Sequence, residues 1–290
     1  MGIYDRDYMR NNRQSNASPQ MSGRQALITL IVLNAICFFL IPARSALYSK
    51  LALYVGDGIS PDTFFQIFSA GFLHSGFGHI LFNMWGLYIF GSLIAPYMSG
   101  KKFFTLYLAG VASGNLLFLL CNLITPVPTY LVGASGAVCA VMSAAATLEP
   151  DRRFVMLFLP FMPMKTTTLV ISYTVLEIIF SLNSNSHIAH LAHLGGFLGG
   201  YIVMRIFFGR NLKWDPLRKL FAFSVPGFRP GTVPPPPRRT ENVSADDSRV
   251  SQRELDALLD KLSTSGINSL SEYELMRLRK ARKQMRGEED

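Results

Sequence analysis

The residues Gly133-Ala134-Ser135-Gly136 open an apolar segment of about 15 residues, Ala134–Leu148, that is rich in small side chains. A helix rises about 1.5 Å per residue, so this segment would span about 22 Å, less than the roughly 30 Å hydrocarbon core of a bilayer. Its first turn is therefore expected to lie below the membrane surface. Non-helical backbone at that depth is tolerated only where protein buries it or where it lines a water-filled cavity. The stretch predicts a wet pocket with Ser135 at its floor.

Ser135, at the start of this helix, is a candidate nucleophile. The first backbone N–H groups of a helix lack intrahelical partners and carry the positive end of the helix dipole. They can therefore stabilise a developing oxyanion beside the serine. The alternative is that these small residues serve only close helix packing, which is sufficient for residues 140–146.

The composition predicts an all-α, polytopic membrane protein. Apolar residues make up 49% of the chain and charged residues 16%, well away from a soluble average. Further apolar segments follow the first, so the first is not expected to be a cleavable signal peptide. The segments long and apolar enough to span a bilayer are Ala26–Pro42, Ile80–Met98, Phe103–Ile124, Ala134–Leu148, Thr166–Leu182 and Ala189–Phe208.

The Lys and Arg residues of the short loops predict the orientation of these spans. They cluster before span one, between spans two and three, between spans four and five, and after span six. Both termini are therefore expected in the cytoplasm, and the topology suits a bacterial cytoplasmic membrane. The net charge of +9 reflects this pattern and a basic tail, so the expected partner is the lipid bilayer and no nucleic-acid partner is expected.

Polar residues near the outer end of span two are candidate oxyanion donors. His79 and Asn83 are four residues apart and share one face of a helix. Such side chains are costly inside a membrane unless they have partners, and both can donate a hydrogen bond. The alternative is a structural hydrogen bond between helices. His74 precedes the span, and we expect it to fix a loop by hydrogen bonding.

Span six begins with His187, His190 and His193, followed by Gly196 and Gly200. The two glycines form a GxxxG pair that lets one helix backbone press against another, and span four is the expected neighbour. That contact would bring His193 beside Ser135. A histidine within reach of a serine is the minimal activated nucleophile. Because the sequence shows no acidic residue to orient the imidazole, it predicts a Ser-His dyad.

Glu177 is a carboxylate deep in span five. Embedded carboxylates are functional candidates, but Glu177 has no basic neighbour in the sequence, so we expect a hydrogen-bonded structural role.

The three histidines raise metal binding as an alternative. It is disfavoured because there is no HExxH motif and no embedded acid is expected near them. No metal or cofactor is therefore expected, and His187 and His190 are interpreted as interfacial residues.

The chain is predicted to contain a membrane domain and a small cytoplasmic appendage. The connection between spans one and two is expected to be structured, with short helices near the interface. Pro-rich composition predicts an extended linker before the appendage. The predicted regions are a disordered cytoplasmic leader (1–24), a six-span domain (25–210), a linker (211–250) and a helical hairpin (251–290).

The hairpin is predicted from two capping boxes, Ser251-x-x-Glu254 and Ser271-x-x-Glu274, with Gly266 ending the first helix. We expect it to act as an interaction or regulatory appendage for a cytoplasmic partner. Its basic end, 277–286, is interpreted as a solvated face.

In chain order, the pattern of His74, His79 and Asn83, the GASG motif around Ser135 and the AHLGG motif around His193 resemble the rhomboid family of intramembrane serine proteases. The resemblance covers about residues 25–210. It implies a six-helix bundle in which Ser135 is the nucleophile and His193 the general base. It also implies transmembrane protein substrates, cut near the outer end of their span, and no cofactor.

The same resemblance implies that the Ser135 N–H, His79 and Asn83 stabilise the oxyanion. Supporting positions are His74, Gly133, Gly136, Gly196 and Gly200. Two departures from the family pattern stand out. Phe65-Gln66 replaces a Trp-Arg pair of the first loop, and Cys139 occupies a position that is often an aromatic ring packed on the catalytic histidine.

Two other functions are open from the sequence. A catalytically inactive rhomboid-like protein would only bind or escort membrane helices, although such proteins typically lose the serine or histidine that this chain keeps. A histidine-lined metal or proton transporter is the second alternative. The lack of paired embedded acids argues against it.

Overall fold

The computed structural model describes residues 20–56, 58–124, 127–156, 159–183, 187–218, 252–266 and 269–286. The chain divides into two compact units, Met1–Pro236 and Pro237–Asp290. Most of the predicted leader lies outside the described residues.

The first unit confirms the all-α, polytopic prediction. Four of its described helical segments are long and apolar enough to cross a membrane, Gly23–Leu40, Phe77–Tyr97, Gly100–Ile124 and His190–Phe208. The fourth and fifth predicted spans form shorter apolar helices. In chain order the helices are α1 Gly23–Leu40, α2 Ala46–Leu51, α3 Thr63–Ser69, α4 Phe77–Ile94, α5 Gly100–Ile124, α6 Ser135–Leu148, α7 Thr166–Asn183 and α8 His187–Phe208.

Helix α6 lies at the centre of this bundle and packs against α4, α5, α7 and α8. Nearly all its residues are buried, because Ala and Gly side chains let neighbouring backbones approach closely. A methyl group built on Gly196 would lie 2.2 Å from the carbonyl oxygen of Gly136, and one built on Gly200 would lie 2.5 Å from the Cα of Ala140. The predicted contact between spans four and six is therefore confirmed.

The connection between α1 and α4 is structured, as expected. It contains α2, α3 and a short strand, β1 Leu53–Val55, that pairs antiparallel with β2 Thr129–Leu131. Gln66 anchors it: its amide nitrogen donates to the carbonyl of Lys50 at 3.1 Å, and its oxygen accepts from the Tyr54 N–H at 3.3 Å. The Gln of the Phe65-Gln66 departure thus helps to fix the loop, together with Ser69, which donates to the Leu51 carbonyl at 2.7 Å.

The C-terminal end of α6 is closed by the segment that follows α8. The last carbonyls of a helix lack intrahelical donors, and here the Thr147 carbonyl accepts from the N–H groups of Lys213 and Trp214 at 3.0 and 3.2 Å. The predicted linker 211–250 therefore begins too early, because 211–218 belong to the membrane unit. Residues 219–251 lie outside the described residues. Between α6 and α7 the chain forms a hairpin of β3 Arg153–Met156 and β4 Leu159–Lys165.

The second unit contains α9 Gln252–Ser265 and α10 Glu272–Arg286. Ser271 and Glu274 form the predicted capping box, with the Ser271 N–H donating to the carboxylate at 2.7 Å and the Glu274 N–H to the hydroxyl at 3.3 Å. Gly266 follows α9 with a φ of 74°. Ser251, of the other predicted box, lies outside the described residues.

Arg277 corrects the interpretation of the basic end as a solvated face. It is only 6% exposed, and its guanidinium donates two hydrogen bonds to Glu254, at 2.7 and 2.6 Å. The arginine therefore joins α9 to α10 instead of facing solvent.

Candidate active site

Ser135 is the first residue of α6, directly after the turn that leaves β2. The turn is held by a hydrogen bond from the Gly133 N–H to the Ala70 carbonyl at 3.0 Å. Gly133 has a φ of +128°, and a methyl group built on it would lie 2.7 Å from Nε2 of His79 and 3.8 Å from Oγ of Ser135. The serine hydroxyl and the His79 ring therefore converge on Gly133.

The imidazole of His79 is oriented from its other nitrogen. The Ser75 hydroxyl lies 3.1 Å from Nδ1, and the Ser75 N–H donates to the same atom at 3.5 Å. A neutral imidazole has one donor and one acceptor nitrogen. This surrounding fits the tautomer that carries its proton on Nε2, the nitrogen that faces Gly133 and the serine.

Asn83 lies one turn further along α4 and is buried. Its amide nitrogen donates to the His79 carbonyl at 3.0 Å. A carboxamide has two N–H donors, so this contact occupies one and fixes the side chain on the face that carries His79. The structure thus places both candidate oxyanion donors on the side of α4 predicted by their spacing.

His74 is buried, and its ring packs edge-on against that of His79 with centroids 5.1 Å apart. Neither ring nitrogen has a hydrogen-bond partner of normal geometry among the described residues, but the ring interacts with the Phe72 backbone, so a loop-fixing hydrogen bond stays a prediction. Burial, together with the nearby His79, lowers the pKa of His74 to about 4. The ring is therefore neutral at pH 7 and supports His79 by packing.

The tight crossing of α6 and α8 places Ser135 and His193 at the same level of the bundle. Gly136 contacts Gly196, and a methyl group on Gly136 would lie 3.6 Å from the Ala192 carbonyl. Ser135 precedes Gly136, and His193 follows Ala192. Both side chains are partly buried, so they flank one close contact between two helices.

Glu177 contradicts the expectation that no acid lies near these histidines. Its Oε1 is 2.9 Å from Nδ1 of His193, and its Oε2 is 2.6 Å from Nδ1 of His190. The His193 contact is within ion-pair distance, although it lies off the line of a normal hydrogen bond. This contact was not predicted from the sequence because it joins residues 16 positions apart on two different helices, α7 and α8. Among the described residues the three side chains also form a group that could hold a metal ion.

Tyr173 supplies an aromatic ring beside His193. The two ring centroids are 6.2 Å apart with an interplanar angle of 39°. Cys139, where an aromatic residue is often found in the family, is buried and carries a free thiol. The ring against the histidine thus comes from α7 instead of α6. His190 contacts the same carboxylate, and its interfacial position stays a prediction. The side chain of His187 lies outside the described residues.

The fold and the site together define a helical membrane protein with serine and histidine side chains collected inside its bundle. The Rhomboid domain family matches residues 61–210, a little over half of the chain. The chain therefore belongs to the rhomboid family. Residues 246–283 match a second family, DUF6576, whose function is unknown.

Similar proteins carry rhomboid names. Presenilin-associated rhomboid-like protein, mitochondrial, of Mus musculus is 25% identical over 202 residues, which cover 69% of this chain and 53% of that protein. RHOMBOID-like protein 12, mitochondrial, of Arabidopsis thaliana is 28% identical over 191 residues, 61% of this chain and 56% of that protein. YdcA of Bacillus subtilis, provisionally named a rhomboid protease, is 24% identical over 167 residues, 57% of this chain and 79% of that protein. The chain spans about half the length of the mitochondrial relatives.

Proposed function

We propose that this protein is an intramembrane serine endopeptidase that hydrolyses transmembrane proteins near the outer end of their membrane span. The observation that carries the proposal is the α6–α8 crossing, in which the first turn of α6, with Ser135, lies against the turn of α8 that contains His193. Membership of the rhomboid family supports the same activity. The short α6 supports hydrolysis below the membrane surface, since its 14 residues span about 21 Å of a roughly 30 Å core.

In the proposed reaction His193 takes the proton of the Ser135 hydroxyl while Oγ bonds to the scissile carbonyl carbon. The carbon–nitrogen bond then breaks, and the imidazolium returns the proton to the leaving amine. Water from the outer cavity, activated by the same imidazole, hydrolyses the acyl-enzyme and restores Ser135.

The oxyanion would be stabilised by donors that converge on the serine. Within the first turn of α6 the first intrahelical bond is from Val138 to Ala134, at 2.9 Å, which leaves the N–H of Ser135 without an intrahelical acceptor. The Nε2 of His79 faces the same turn, and Asn83 has a second N–H available. Each such donor is typically worth about 2.7–4 kcal/mol of transition-state stabilisation.

Localisation in a bacterial cytoplasmic membrane with both termini inside stays a prediction from the positions of Lys and Arg. The relatives named above include mitochondrial proteins and one from a bacterium. The substrate proposal is likewise limited to its class, a single-span membrane protein that unwinds near the outer interface.

The test is cleavage of a labelled single-span protein by the purified enzyme in lipid vesicles, beside Ser135→Ala and His193→Ala. We expect Ser135→Ala to remain folded, because removing one hydroxyl from a wet pocket creates little cavity. Both variants are expected to lose cleavage by at least about 10³-fold. Cleavage that persists in both variants, or that a chelator abolishes, would contradict the proposal. Binding of the substrate without any cleavage by the wild-type protein would support a helix-binding, inactive relative instead.

A further inference from the structure

Glu177 is a buried carboxylate on the inward face of α7, whose opposite face exposes apolar side chains. It is 5% exposed, whereas its neighbours Ile178 and Ile179 are 44% and 51% exposed. An ionisable group at such a position in a membrane bundle is costly and is kept only with partners. Its position on the inner face of α7 directs it toward α8.

Both carboxylate oxygens are engaged, each by a different imidazole of α8. Oε1 contacts Nδ1 of His193 at 2.9 Å, and Oε2 contacts Nδ1 of His190 at 2.6 Å. Tyr173 makes a further polar contact from one turn earlier on α7. On α6, Cys139 faces this cluster. The carboxylate therefore has a fixed orientation before any substrate binds.

The contact on His193 is at Nδ1, which leaves Nε2 to take the serine proton in the proposed reaction. A carboxylate at Nδ1 selects the tautomer with its proton there and leaves Nε2 as the base, and it stabilises the imidazolium that forms. Tyr173 and Glu177 are four residues apart and so share one helix face. One face of α7 thus supplies both the ring against the imidazole and the carboxylate at its edge.

We propose that Glu177 is a positioning residue for His193, and that Tyr173 assists it by packing on the same ring in place of an aromatic residue at Cys139. The proposal rests on the proposed protease function. Glu177 takes no proton itself: the proton of Ser135 passes to His193 Nε2 and then to the leaving amine, and the carboxylate stays ionised throughout. The catalytic group is then a serine–histidine pair held by an acid, where the sequence predicted a dyad without one.

The decisive variant is Glu177→Gln, which keeps the size of the side chain and removes the charge. We expect kcat on a labelled single-span substrate to fall by at least about tenfold, with KM changed less than about twofold. Replacing the orienting carboxylate of a serine protease by its amide costs about 10⁴-fold in kcat, and this is the largest loss that we expect for Glu177→Gln. Glu177→Asp, which keeps the charge, is expected to retain more activity than Glu177→Gln.

The matched control is Ile178→Ala, one position along α7 on its exposed side. It should leave kcat within about twofold of the wild-type value. Thermal unfolding of each variant separates a positioning role from a structural one, because a loss of kcat through positioning occurs with the melting temperature unchanged. If Glu177→Gln does not fold, Tyr173→Leu removes the ring from His193 and should lower kcat with KM unchanged.

The proposal is overturned if folded Glu177→Gln keeps wild-type kcat, if only its KM rises, or if Tyr173→Leu has to replace it and keeps wild-type kcat. It is also overturned if a chelator removes wild-type activity, since the cluster of Glu177, His190 and His193 would then be a metal site. Loss of activity to a chelator contradicts both proposals, whereas two other outcomes separate them. Wild-type cleavage that needs Ser135 but not Glu177 contradicts only the positioning role, whereas no cleavage by the wild-type protein contradicts the protease function.

Discussion

Gly133 is a position at which any larger residue would disturb the candidate site. Its φ of +128° is a conformation that residues with a Cβ rarely adopt. A side chain there would also press on His79, whose Nε2 lies 2.7 Å from the position of a Cβ. Two independent constraints, backbone conformation and space, therefore require glycine directly before the helix that carries the serine.

Gly133→Ala is expected to reduce cleavage by at least about tenfold. The strained backbone costs about 1–3 kcal/mol, and the methyl group displaces His79 from the turn. Gly78→Ala is the control, because a Cβ on Gly78 meets nothing within 4 Å. The measurement is the rate of substrate cleavage by the two variants. Equal rates would contradict the placement of His79.

Some features of the site could be predicted from the sequence and others could not. The close approach of the helices that carry Ser135 and His193 could be predicted, because a GxxxG pair indicates a tight helix contact. The roles of Glu177 and Tyr173 could not, because their importance comes from contacts between α7 and α8 that no local spacing encodes. The ion pair of Arg277 with Glu254, which joins α9 to α10, could not be predicted for the same reason.

The crossing of α6 and α8 is the contact on which the site depends. Small residues let these helices approach until a Cβ at Gly196 would lie 2.2 Å from the Gly136 carbonyl oxygen. In lipid such association relies on close van der Waals packing, because water supplies no hydrophobic driving force there. The distance between the serine and histidine elements is therefore set by glycines.

Gly196→Ala should separate the two helices and lower both melting temperature and cleavage. Overpacking of a tight contact costs about 1–3 kcal/mol. Leu198→Ala, two positions along α8 at a side chain that is 47% exposed, should change neither by much. Thermal unfolding in detergent and cleavage rates in vesicles measure the two effects, and a fully active, stable Gly196→Ala protein would contradict the crossing.

The opposite end of α6 carries a polar clamp around Glu149. Burial by itself would raise the pKa of Glu149, but hydrogen bonds from Lys213 and Tyr97 lower it below its usual value. The Lys213 ammonium lies 2.7 Å from the carboxylate. A carboxylate with a lowered pKa stabilises the folded state above its unfolded pKa and loses that contribution as pH falls through the folded pKa.

Glu149→Gln is therefore expected to lower stability at pH 7 by about 1 kcal/mol or less, since Lys213 is partly exposed. The difference from wild type should shrink as pH falls below about 4. Melting temperatures of both proteins from pH 7 to pH 3 provide the measurement. A difference that grows on acidification would have the wrong sign for this clamp.

Helix positions followed from apolar length and were predicted well, whereas the strands were not. β1 and β2 are three residues each, too short to show the alternation that identifies a strand. They form only because the loop after α1 folds back beside the turn before Ser135. The segment after α8 was predicted to be linker because its sequence does not reveal its contacts with Thr147. These contacts form only in the tertiary fold.

The two units of the chain have separate family matches, residues 61–210 and 246–283. All residues proposed for catalysis and positioning lie in the first. The hairpin has its own buried residues and ion pairs within α9 and α10, including Lys261 with Glu274 at 2.7 Å. The reaction is therefore assigned to the membrane unit alone.

Truncation after Pro236, at the boundary between the units, is expected to leave cleavage within about threefold of the full chain. The membrane unit keeps the segment that closes α6. Cleavage of the same single-span substrate by both proteins in vesicles is the measurement. Loss of activity with the membrane unit still folded would show that the hairpin takes part in the reaction.

The most direct test of the account is covalent labelling with a fluorophosphonate, which reacts with activated serines, followed by mass spectrometry of the labelled peptide. One adduct is expected, on Ser135, that disappears in Ser135→Ala and is strongly reduced in His193→Ala. An adduct on another serine, or labelling of Ser135 at the same rate without His193, would contradict it.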